Sequence, residues 1–513
     1  MTVILSDILS VLDQSEAFGD LSVCLSGVSH DSRKILPGYL FVAIRGEKSD
    51  GHEFVRAALD AGAAAVLAEV RPEGEFCEIP WATVPDTRKI LGPISSIIYD
   101  RPTEKLVLVG VTGTNGKTTL TYLLEAVIKN AGGIPGIVGT ISYRWRDKEQ
   151  PALHTTPEAS DLQSIFREMA DDSVTHAFME VSSHGLDLGR LEGCQFDLGV
   201  FTNLTQDHLD YHGNLEQYYL AKRILFERLL PASSKKNPAA IINVDDPYGK
   251  RLFSEIKNIP TVRFGTGAEC DVRPLEVNFT TDGIVAKIKT SRGPLQVHSQ
   301  LTGYFNLSNI LAAVAVADRL KIEEKAISAG IDSVANIPGR LEKIPSDKGT
   351  IFVDYAHTPG ALKNVLAALK VIRSGRIITV MGCGGDRDKQ KRPIMGSEAV
   401  LGSDFVVVTS DNPRSEDPLE IIRQVEQGVR EAGFLPCRDE VEDCGLKEGR
   451  YRLIPDRREA IAWAVQSMED EDILLVAGKG HETYQEINGV RYPFDDREVL
   501  HEQLKKASSA NKI

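Results

Sequence analysis

Apolar positions along the chain follow two alternating patterns, short continuous runs and longer segments with helical spacing. Residues 106–111 form a run with the length and β-branched content of a buried parallel strand. From Lys117 to Ile128, apolar side chains recur at i, i+3, i+4 and i+7, and Gly132 ends the pattern. Strand-like and helix-like segments alternate again further along the chain. The pattern therefore predicts an α/β protein with parallel sheets that are covered by helices on both faces.

Interruptions of this pattern divide the chain into three units, which we expect at residues 1–102, 103–338 and 339–513. In the first unit we expect helices over 1–12 and 54–59, strands and turns over 27–46, and a strand over 63–67. In the second we expect strands over 106–111, 175–181 and 201–204, and helices from 117 onwards and over 310–320. In the third we expect strands over 351–353, 377–381, 405–408 and 473–476, and helices over 359–372, 418–431 and 457–467. A length of 513 residues suits three domains with separate cores.

Composition and charge narrow the class of protein. The hydrophobic fraction of 42% and the charged fraction of 26% are typical of a soluble globular protein. A formal net charge of -14 argues against broad binding of nucleic acids or acidic membranes, although a local cluster of Lys and Arg can hold an anionic substrate. We expect neither export nor membrane insertion, because there is no basic leader and no run of 18 apolar residues. The seven cysteines are scattered without a C-x-x-C pair, so we expect free thiols in a reducing cytoplasm.

The strongest chemical signal is the segment G-T-N-G-K-T-T at residues 113–119, between the first strand and the first helix of the second unit. A glycine turn at a helix N-terminus offers backbone N–H groups to a phosphate chain. We expect Lys117 on the β- and γ-phosphates and Thr118 on Mg²⁺. Gly110 lies one residue too early for the general G-x4-G-K-[ST] spacing, so the match is to a shorter variant. An ordinary Gly-rich turn is the alternative, but the order of strand, loop and amphipathic helix favours nucleotide binding.

Other polar groups of the second unit leave two interpretations open. Glu180 ends an apolar strand before a glycine turn, which suits either a metal ligand or a solvated strand end. Two His and two Asp within residues 207–212 either bind a metal or cap a helix. Asn306 and Asn309, one helical turn apart, either contact a base or ribose or cap the helix. Lys222 by itself indicates only a charge on a helix surface.

Polar residues also follow the predicted strands of the third unit, at 354–359, 382–388, 411–414 and 478–482. Ligands of open α/β sheets bind outside the carboxyl ends of the strands. Four polar clusters in one small domain therefore predict a ligand site there. The glycines at 382–385 do not form a G-x-G-x-x-G fingerprint, so NAD is not favoured.

Together these motifs resemble the Mur ligase family, the ATP-dependent enzymes that form amide bonds in peptidoglycan synthesis. GTNGKTT, TTPE, EVSSHGL, TNLTQDHLDYHG, GYFNLSN, PGRLE and DYAHTP occur in the family's order and span nearly the whole chain. The resemblance implies a small N-terminal α/β domain that binds uridine diphosphate, a central P-loop ATPase-type domain with a parallel sheet, and a C-terminal Rossmann-like domain that binds an amino acid. We expect a cytoplasmic monomer with no nucleic-acid partner and no membrane insertion.

The D-N-P-R pattern at residues 411–414 is the one that family members using meso-diaminopimelate carry. The implied reaction adds meso-diaminopimelate to the D-Glu γ-carboxylate of UDP-MurNAc-L-Ala-D-Glu through an acyl phosphate. Diaminopimelate has a second carboxylate that lysine lacks, and the guanidinium groups of Arg387 and Arg414 can pair with it. The same ligation with L-lysine, a folylpolyglutamate synthase and a nucleotide-dependent switch protein without ligation are the competing hypotheses.

The resemblance also assigns roles to individual residues. ATP would contact Gly113, Thr114, Asn115, Gly116, Lys117, Thr118, Thr119, Asn306, Asn309, Arg340 and Asp354. Two Mg²⁺ would be held by Thr118, Glu180, His208 and a carbamate on Lys222. The uridine diphosphate would contact Ser32, Glu47, Lys48 and Ser49, and the muramoyl peptide Thr155, Thr156, Ser182 and Arg190. The amino acid would contact Arg387, Asp411, Asn412, Pro413, Arg414, Gly478 and Glu482. Lys117, His208, Lys222 and Arg340 would carry the catalysis electrostatically.

Overall fold

The computed structural model describes residues 3–12, 15–46, 49–71, 79–280, 283–437 and 446–510, and each of its three domains is built on its own sheet. The N-terminal domain contains, in order, β1 Val3–Ile4, α1 Leu5–Leu9, β2 Glu16–Phe18, β3 Cys24–Leu25, β4 Gly27–Ser29, β5 Tyr39–Val42, α2 Val55–Asp60, β6 Ala65–Ala68, β7 Trp81–Thr83 and α3 Thr87–Ile98. Its main sheet has the order β2-β7-β6-β5-β4, in which only β2 is antiparallel.

The helix predicted over 1–12 is wrong in extent. Of the described residues 3–12, only Leu5–Leu9 is helical, and Val3 and Ile4 instead pair with Leu25 and Cys24 in a short antiparallel ladder. Local propensity is overridden here by a strand partner about twenty residues away.

The central domain begins with the predicted strand, loop and helix. Its elements are β8 Val107–Thr112, α4 Lys117–Asn130, β9 Pro135–Val138, β10 Ser142–Trp145, β11 Lys148–Pro151, α5 Ala159–Asp171, β12 His176–Glu180, α6 Ser183–Asp187, β13 Leu198–Phe201, α7 Leu209–His212, α8 Leu215–Ile224, β14 Ala239–Asn243, α9 Pro247–Glu255, β15 Thr261–Phe264, β16 Arg273–Thr280, β17 Gly283–Thr290, β18 Gly293–Ser299, α10 Tyr304–Arg319 and α11 Glu324–Asp332. The large sheet has the order β11-β10-β9-β12-β8-β13-β14-β15, with antiparallel β10 and β11 at one edge.

Two features of the central domain differ from the prediction. The strand expected over 201–204 is Leu198–Phe201, since Leu198 pairs with Val109 and Ala239. The chain after Phe201 leaves the sheet and contacts the phosphate loop instead. The antiparallel sheet β16-β17-β18 was not predicted; Ile284, Ile288 and other side chains of its inner face share a hydrophobic core with α10.

The C-terminal domain matches the predicted alternation closely. Its elements are β19 Glu342–Ile344, β20 Thr350–Asp354, α12 Pro359–Ile372, β21 Ile377–Met381, α13 Lys391–Gly402, β22 Phe405–Val408, α14 Pro418–Glu431, β23 Leu435–Pro436, β24 Arg450–Leu453, α15 Arg457–Ser467, β25 Ile473–Ala477, β26 Tyr484–Ile487, β27 Val490–Pro493 and α16 Asp496–Ala510. The sheet order is β19-β20-β25-β21-β22-β24-β23, and β26 and β27 form a separate hairpin. All strands of this sheet except β19 run parallel, so the loops after β20, β21, β22 and β25 meet at one edge.

The thiols are only partly as expected. Cys24, Cys194, Cys270 and Cys383 are free, and the last three are buried. Cys437 is disulfide-bonded, so the expectation of free thiols is wrong at that position. Sequence spacing alone does not determine which sulfur atoms come within bonding distance. Within the described ranges, every helix is too short or too polar to cross a membrane.

We expect the fully buried ion pair between Arg457 and Asp496 to stabilise the C-terminal domain. Arg457 Nε and Nη2 lie 2.7 Å from Asp496 Oδ1 and Oδ2, and Nη2 also donates to Ala477 O at 3.0 Å. Asp496→Asn leaves the guanidinium without a charge partner and should lower the free energy of unfolding by about 3–5 kcal/mol. The change can be measured as a shift of the urea midpoint, followed by tryptophan fluorescence in a variant that keeps Trp463 and has Phe at positions 81 and 145.

Glu502→Gln is the matched control for this prediction. Arg458 and Glu502 form an ion pair in which both side chains are about half exposed. Its loss should change stability by less than about 1 kcal/mol. Equal shifts of the midpoint for the two variants would contradict the role given to the buried pair.

Candidate functional site

The phosphate loop is a turn between β8 and α4 whose shape depends on two glycines. Gly113 and Gly116 have φ values of +147° and +88°. A Cβ at Gly113 would overlap Thr202 Oγ1, and one at Gly116 would overlap Asn309 Oδ1. Lys117 Nζ folds back over the loop and donates to Gly113 O at 2.9 Å and to Thr114 O at 2.8 Å. The lysine head therefore lies over the turn that the sequence assigns to phosphate.

The segment after β13 holds the loop from the side. Asn115 N donates to Asn203 Oδ1 at 2.9 Å, and Thr202 Oγ1 donates to Asn115 O at 2.6 Å. Thr114 N donates to Asn203 O at 2.9 Å. The loop geometry is thus fixed by residues almost ninety positions away in the chain.

Thr118 connects the central domain to the C-terminal domain. Its Oγ1 donates to Glu180 Oε1 at 3.0 Å, and the other oxygen of Glu180 accepts from Thr140 Oγ1 at 2.9 Å. Arg340 Nη2 donates to Thr118 Oγ1 at 3.4 Å, and its guanidinium lies 4.9 Å from the ring centroid of Tyr355. An arginine of the C-terminal domain therefore reaches the phosphate loop directly.

A cavity of about 280 Å³ opens above this loop, between the two domains. Its lining includes Thr114, Asn115, Gly116, Lys117, Thr118, Thr119, Thr155, Glu180, Ser182, His208, Lys222, Asn309, Arg340 and Asp354. Most residues that the sequence assigns to ATP and metal are thus brought together in one space.

Three predicted residues support this lining from behind. Thr156 Oγ1 donates to Glu180 O at 2.9 Å, and Arg190 Nη1 donates to Thr156 O at 3.0 Å while Nη2 pairs with Glu158 at 2.7 Å. Asn306 Nδ2 donates to Thr302 O at 2.8 Å, and its Oδ1 accepts from Asn309 Nδ2 at 3.2 Å.

The alternative that Asn306 and Asn309 cap α10 is wrong. The helix begins at Tyr304, its N-cap is Gly303, and both asparagines lie within its first two turns. Asn309 faces the phosphate loop, and Asn306 orients it.

Burial shifts the pKa of several groups in this cavity. It lowers the pKa of Lys117, and it holds the pKa of Lys222 well below its ordinary value, with the nearby Lys117 charge acting in the same direction. Lys222 Nζ donates to Gly113 O at 3.0 Å and lies 4.5 Å from the ring centroid of Tyr218. Burial raises the pKa of Asp354 to about 6, against the Arg340 charge, and lowers the pKa of His208 to about 4. A buried, weakly basic lysine favours the neutral amine.

The donor set suits a hard cation that is only partly held by protein. Thr118 and Glu180 present a hydroxyl and a carboxylate oxygen at hydrogen-bonding distance, which are ligands that Mg²⁺ prefers. In the described part of the chain, no group of three or more His, Cys, Asp or Glu side chains is arranged to hold a metal by itself. The arrangement therefore fits a metal whose remaining ligands come from a phosphate chain and water.

A second cavity, of about 450 Å³, adjoins the first at the carboxyl edge of the C-terminal sheet. Asp207, His208, Tyr355, His357 and Thr358 line both cavities. The predicted amino-acid contacts in its lining are Arg387, Asp411, Asn412, Arg414, Gly478 and Glu482, whereas Pro413 is not among the lining residues. The parallel strands thus bring four separate sequence motifs to one place.

Hydrogen bonds fix the polar groups of this second cavity. Asn412 Nδ2 donates to Glu482 Oε2 at 2.8 Å. Arg414 has a φ of +50°, and its Nη1 donates to Gly385 O at 2.6 Å. Arg387 Nη1 donates to Asp386 O at 3.0 Å. Burial and the Asp411 charge raise the pKa of Glu482, against the influence of Lys479.

The predicted uridine diphosphate contacts lie in the N-terminal domain. Ser32 begins a 3-10 turn after β4, and Ser49 accepts a hydrogen bond from Gly46 N at 3.0 Å in the turn after β5. Because β4 and β5 are parallel neighbours, both turns lie at the same edge of the sheet. Glu47 and Lys48 lie outside the described residues.

Several residues in or behind the cavity walls were not predicted as site residues, although all of them except Lys391 belong to motifs or polar clusters noted from the sequence. They are Asp207, Tyr355, His357, Cys383, Asp388 and Lys391 in the cavity walls, and Lys479 behind them. The signal was present in Q-D-H, D-Y-A-H and G-K-G-H-E, but it did not distinguish which member of each motif faces the ligand.

Fold and site together define a class of protein in which a P-loop domain and a second α/β domain enclose a nucleotide site beside a second, polar cavity. The chain matches the family models of the Mur ligase middle domain over residues 111–317, of the Mur ligase, glutamate ligase domain over 339–480, and of the Mur ligase family, catalytic domain over 25–98. The chain belongs to the Mur ligase family.

Individual relatives agree with this membership. The UDP-N-acetylmuramoyl-L-alanyl-D-glutamate--2,6-diaminopimelate ligase of Geobacter metallireducens is 46% identical over 510 residues, which are 98% of this chain and 99% of that protein. A solved structure of a ligase with the same name is 32% identical, with a TM-score of 0.69 over 99% of this chain and 100% of that one. MurF of Thermotoga maritima in complex with ADP has a TM-score of 0.62 at 19% identity, covering 94% and 98% of the two chains, and is similar in fold.

We expect Gly116→Ala to weaken binding of ATP, the nucleotide that the sequence predicts, by at least about tenfold, because the new Cβ would displace Asn309 from the loop. Gly132→Ala is the matched control: Gly132 also has a positive φ, of +77°, and a Cβ added there would have nothing within 4 Å. Both variants should lose about 1 kcal/mol of stability through the positive φ, and only Gly116→Ala, which also displaces Asn309, should lose affinity. Calorimetric titration with a non-hydrolysable ATP analogue measures the difference, and equal affinities would contradict the prediction.

Proposed function

We propose that the protein is an ATP-dependent ligase that adds meso-diaminopimelate to the D-Glu γ-carboxylate of UDP-MurNAc-L-Ala-D-Glu, in cytoplasmic synthesis of peptidoglycan precursors. The observation that carries the proposal is the pair of adjoining cavities, one around a phosphate loop and one lined by Arg387, Arg414, Asp411 and Glu482. The relative with 46% identity matches this chain over 99% of its own length, and its name is that of this ligase. A switch protein would have no need of the second cavity.

The reaction proceeds in two steps. The D-Glu γ-carboxylate attacks the γ-phosphorus of ATP, so that a C–O–P bond forms, the β,γ-bridging P–O bond breaks and ADP leaves. The neutral amine of diaminopimelate then attacks the acyl carbon, an amide bond forms, phosphate leaves, and the amine loses a proton. The electrostatic part of the activation barrier lies mainly in the first step, because two anions must approach each other.

The residues of this chain would lower that barrier electrostatically. Lys117 and Arg340, which both line the first cavity, would neutralise charge on the transferred phosphoryl group. Thr118, Glu180, His208 and a carbamate on Lys222 would hold Mg²⁺, which supplies charge neutralisation and polarises the phosphoryl oxygens when bound. Asn309 would contact the nucleotide with Asn306 behind it, and Asp354 would accept from its ribose.

The contacts to the UDP substrate follow from the resemblance to the family. We assign the muramoyl peptide to Thr155, Thr156, Ser182 and Arg190, and the uridine diphosphate to Ser32, Glu47, Lys48 and Ser49. We propose domain boundaries near residues 102 and 338 and a monomeric enzyme.

Specificity for diaminopimelate would come from the guanidinium groups of the second cavity. Arg414 lies in that cavity with 19% of its side chain exposed, so a carboxylate would meet it in a partly desolvated space. Lysine as acceptor would bring no carboxylate to Arg414, whose Nε would keep Glu486 Oε2 at 4.0 Å as its anionic partner, and this difference disfavours lysine.

The decisive experiment supplies ATP and UDP-MurNAc-L-Ala-D-Glu, and then compares phosphate release and product formation with diaminopimelate and with lysine. We expect product with diaminopimelate only, and Arg414→Ala should lower kcat/KM for it by about 10–100-fold through loss of a charge-assisted pair. Arg423→Ala, which removes an arginine with 63% exposure on the surface of α14, is the control and should have no effect. Predominant incorporation of lysine would overturn the specificity, and ATP hydrolysis that needs no acceptor would favour a switch.

The environment of Lys222 supports a carbamate at this position, because a buried neutral amine can react with CO2 and an anionic oxygen suits Mg²⁺ better than an ammonium. We therefore expect removal of CO2 and bicarbonate to lower wild-type activity and added bicarbonate to restore it. The variant Lys222→Met should be nearly inactive and should not respond to bicarbonate. Wild-type activity that is indifferent to CO2 would contradict the carbamate and leave the ligase activity itself untouched.

A further inference from the structure

Lys479 is a buried cation that the mechanism above does not use. It lies in the turn after β25, and its side chain is 0% exposed. Its Nζ donates to Asn412 Oδ1 at 3.0 Å and to Glu482 Oε2 at 3.2 Å, and it lies 4.0 Å from Asp411 Oδ1. These three partners line the second cavity, whereas Lys479 lies behind them. The ammonium can therefore affect a ligand only through its neighbours.

The first of these effects is on the amide of Asn412. Its Oδ1 accepts from Lys479 Nζ and also from Glu486 N, each at 3.0 Å. A flipped amide would turn its NH₂ group towards two donors, so the observed orientation is the only one that satisfies both. Nδ2 is consequently directed to Glu482, to which it donates at 2.8 Å.

The second effect is on charge. Asp411 and Glu482 place two carboxylates in one corner of the cavity, and burial together with Asp411 raises the pKa of Glu482. Lys479 and the hydrogen bond from Asn412 act against this rise. With both carboxylates ionised, Asp411, Glu482 and Lys479 together carry one net negative charge. This charge is complementary to a single ammonium group.

We propose that Lys479 is a positioning residue for the ammonium group of the acceptor amino acid: it orients Asn412 and maintains Glu482 as an ionised hydrogen-bond acceptor without contacting the amino acid. This inference rests on the proposed function and deepens it. It assigns the recognition of the acceptor's ammonium to a three-residue unit that depends on a buried cation, distinct from the arginines that recognise carboxylates.

The test replaces Lys479 with Met, which has a similar length and no charge. We expect the KM for diaminopimelate to rise by about 10–100-fold, while kcat and the KM values for ATP and the UDP substrate stay unchanged. A loss of this size is typical when the hydrogen-bond partner that orients a metal-binding side chain is removed. Lys479→Gln retains a donor for Asn412 without the charge and should show a smaller rise. It also serves as the working variant if Lys479→Met does not fold.

A pH profile separates positioning from a merely structural role. The titratable and charged groups that interact with this corner include Asp411, Glu482, Tyr355, Tyr484, Cys383 and Arg457. Without Lys479 the pKa of Glu482 rises further, so Glu482 is protonated over a wider range of pH. The ratio of the variant's KM for diaminopimelate to that of the wild type should therefore be largest at low pH and should fall as pH rises.

Lys235→Met is the matched control for the loss of a sheltered lysine. Lys235 is 12% exposed, pairs with Asp197 at 3.1 Å, and lies at the opposite edge of the central sheet near Leu106. The Lys235→Met variant should leave all three KM values unchanged.

A Lys479→Met enzyme with a normal KM for diaminopimelate, or with the same rise in KM for all three substrates and no pH trend, would overturn the inference. A wild-type enzyme that forms no product with either amino acid would instead overturn the proposed function, and this inference with it.

Discussion

Repulsion between anions is the physical constraint on which the proposed reaction, and much of this structure, depends. A triphosphate and a carboxylate must come into contact in a protein whose formal net charge is -14. Positive charge is therefore concentrated where it is needed: Lys117 and Arg340 line one cavity of about 280 Å³. In a partly desolvated space these charges act more strongly than they would in water.

Holding cations together carries a cost of its own, and the structure offsets it with fixed dipoles and a few carboxylates. Lys117 donates to the carbonyl oxygens of Gly113 and Thr114. Glu180 and Asp207 provide negative charge close to Lys117. The same principle recurs in the second cavity, where Lys479 is enclosed by Asn412, Glu482 and Asp411. In both places a buried charge is tolerated because its hydrogen-bonding groups are satisfied.

The site is distributed over domains because parallel sheets place their loops at one edge. The central sheet presents the loops after β8, β12 and β13, and the C-terminal sheet those after β20, β21, β22 and β25. Arg340, in the loop before β19, contacts Thr118 across the boundary. Neither domain alone contains a complete lining for either cavity, so relative movement of the domains would change both cavities together.

The amino-acid sequence by itself determined the local parts of this protein. The strand, glycine turn and helix around Lys117, and the seven predicted elements of the C-terminal domain, were readable because periodicity, capping and glycine conformations act over a few residues. Most of the residues that motif resemblance assigned to ATP, metal and the amino acid do line the two cavities. Strand pairing, in contrast, depends on residues that are distant in the chain. Val3 and Ile4 form a strand because Leu25 and Cys24 lie beside them, and β13 begins at Leu198 because Val109 and Ala239 flank it.

Only the tertiary structure decided how deeply each charge is buried and which atom it faces. Lys222 would pass for a surface charge on an amphipathic helix, yet it lies 1% exposed against Gly113, more than a hundred residues earlier in the chain. Lys479 belongs to a motif with two other polar side chains, and the fold alone places it behind Asn412 and Glu482 rather than in the cavity wall. Burial and partner geometry depend on residues that are distant in sequence, and these interactions set pKa values and side-chain orientations that no local pattern encodes.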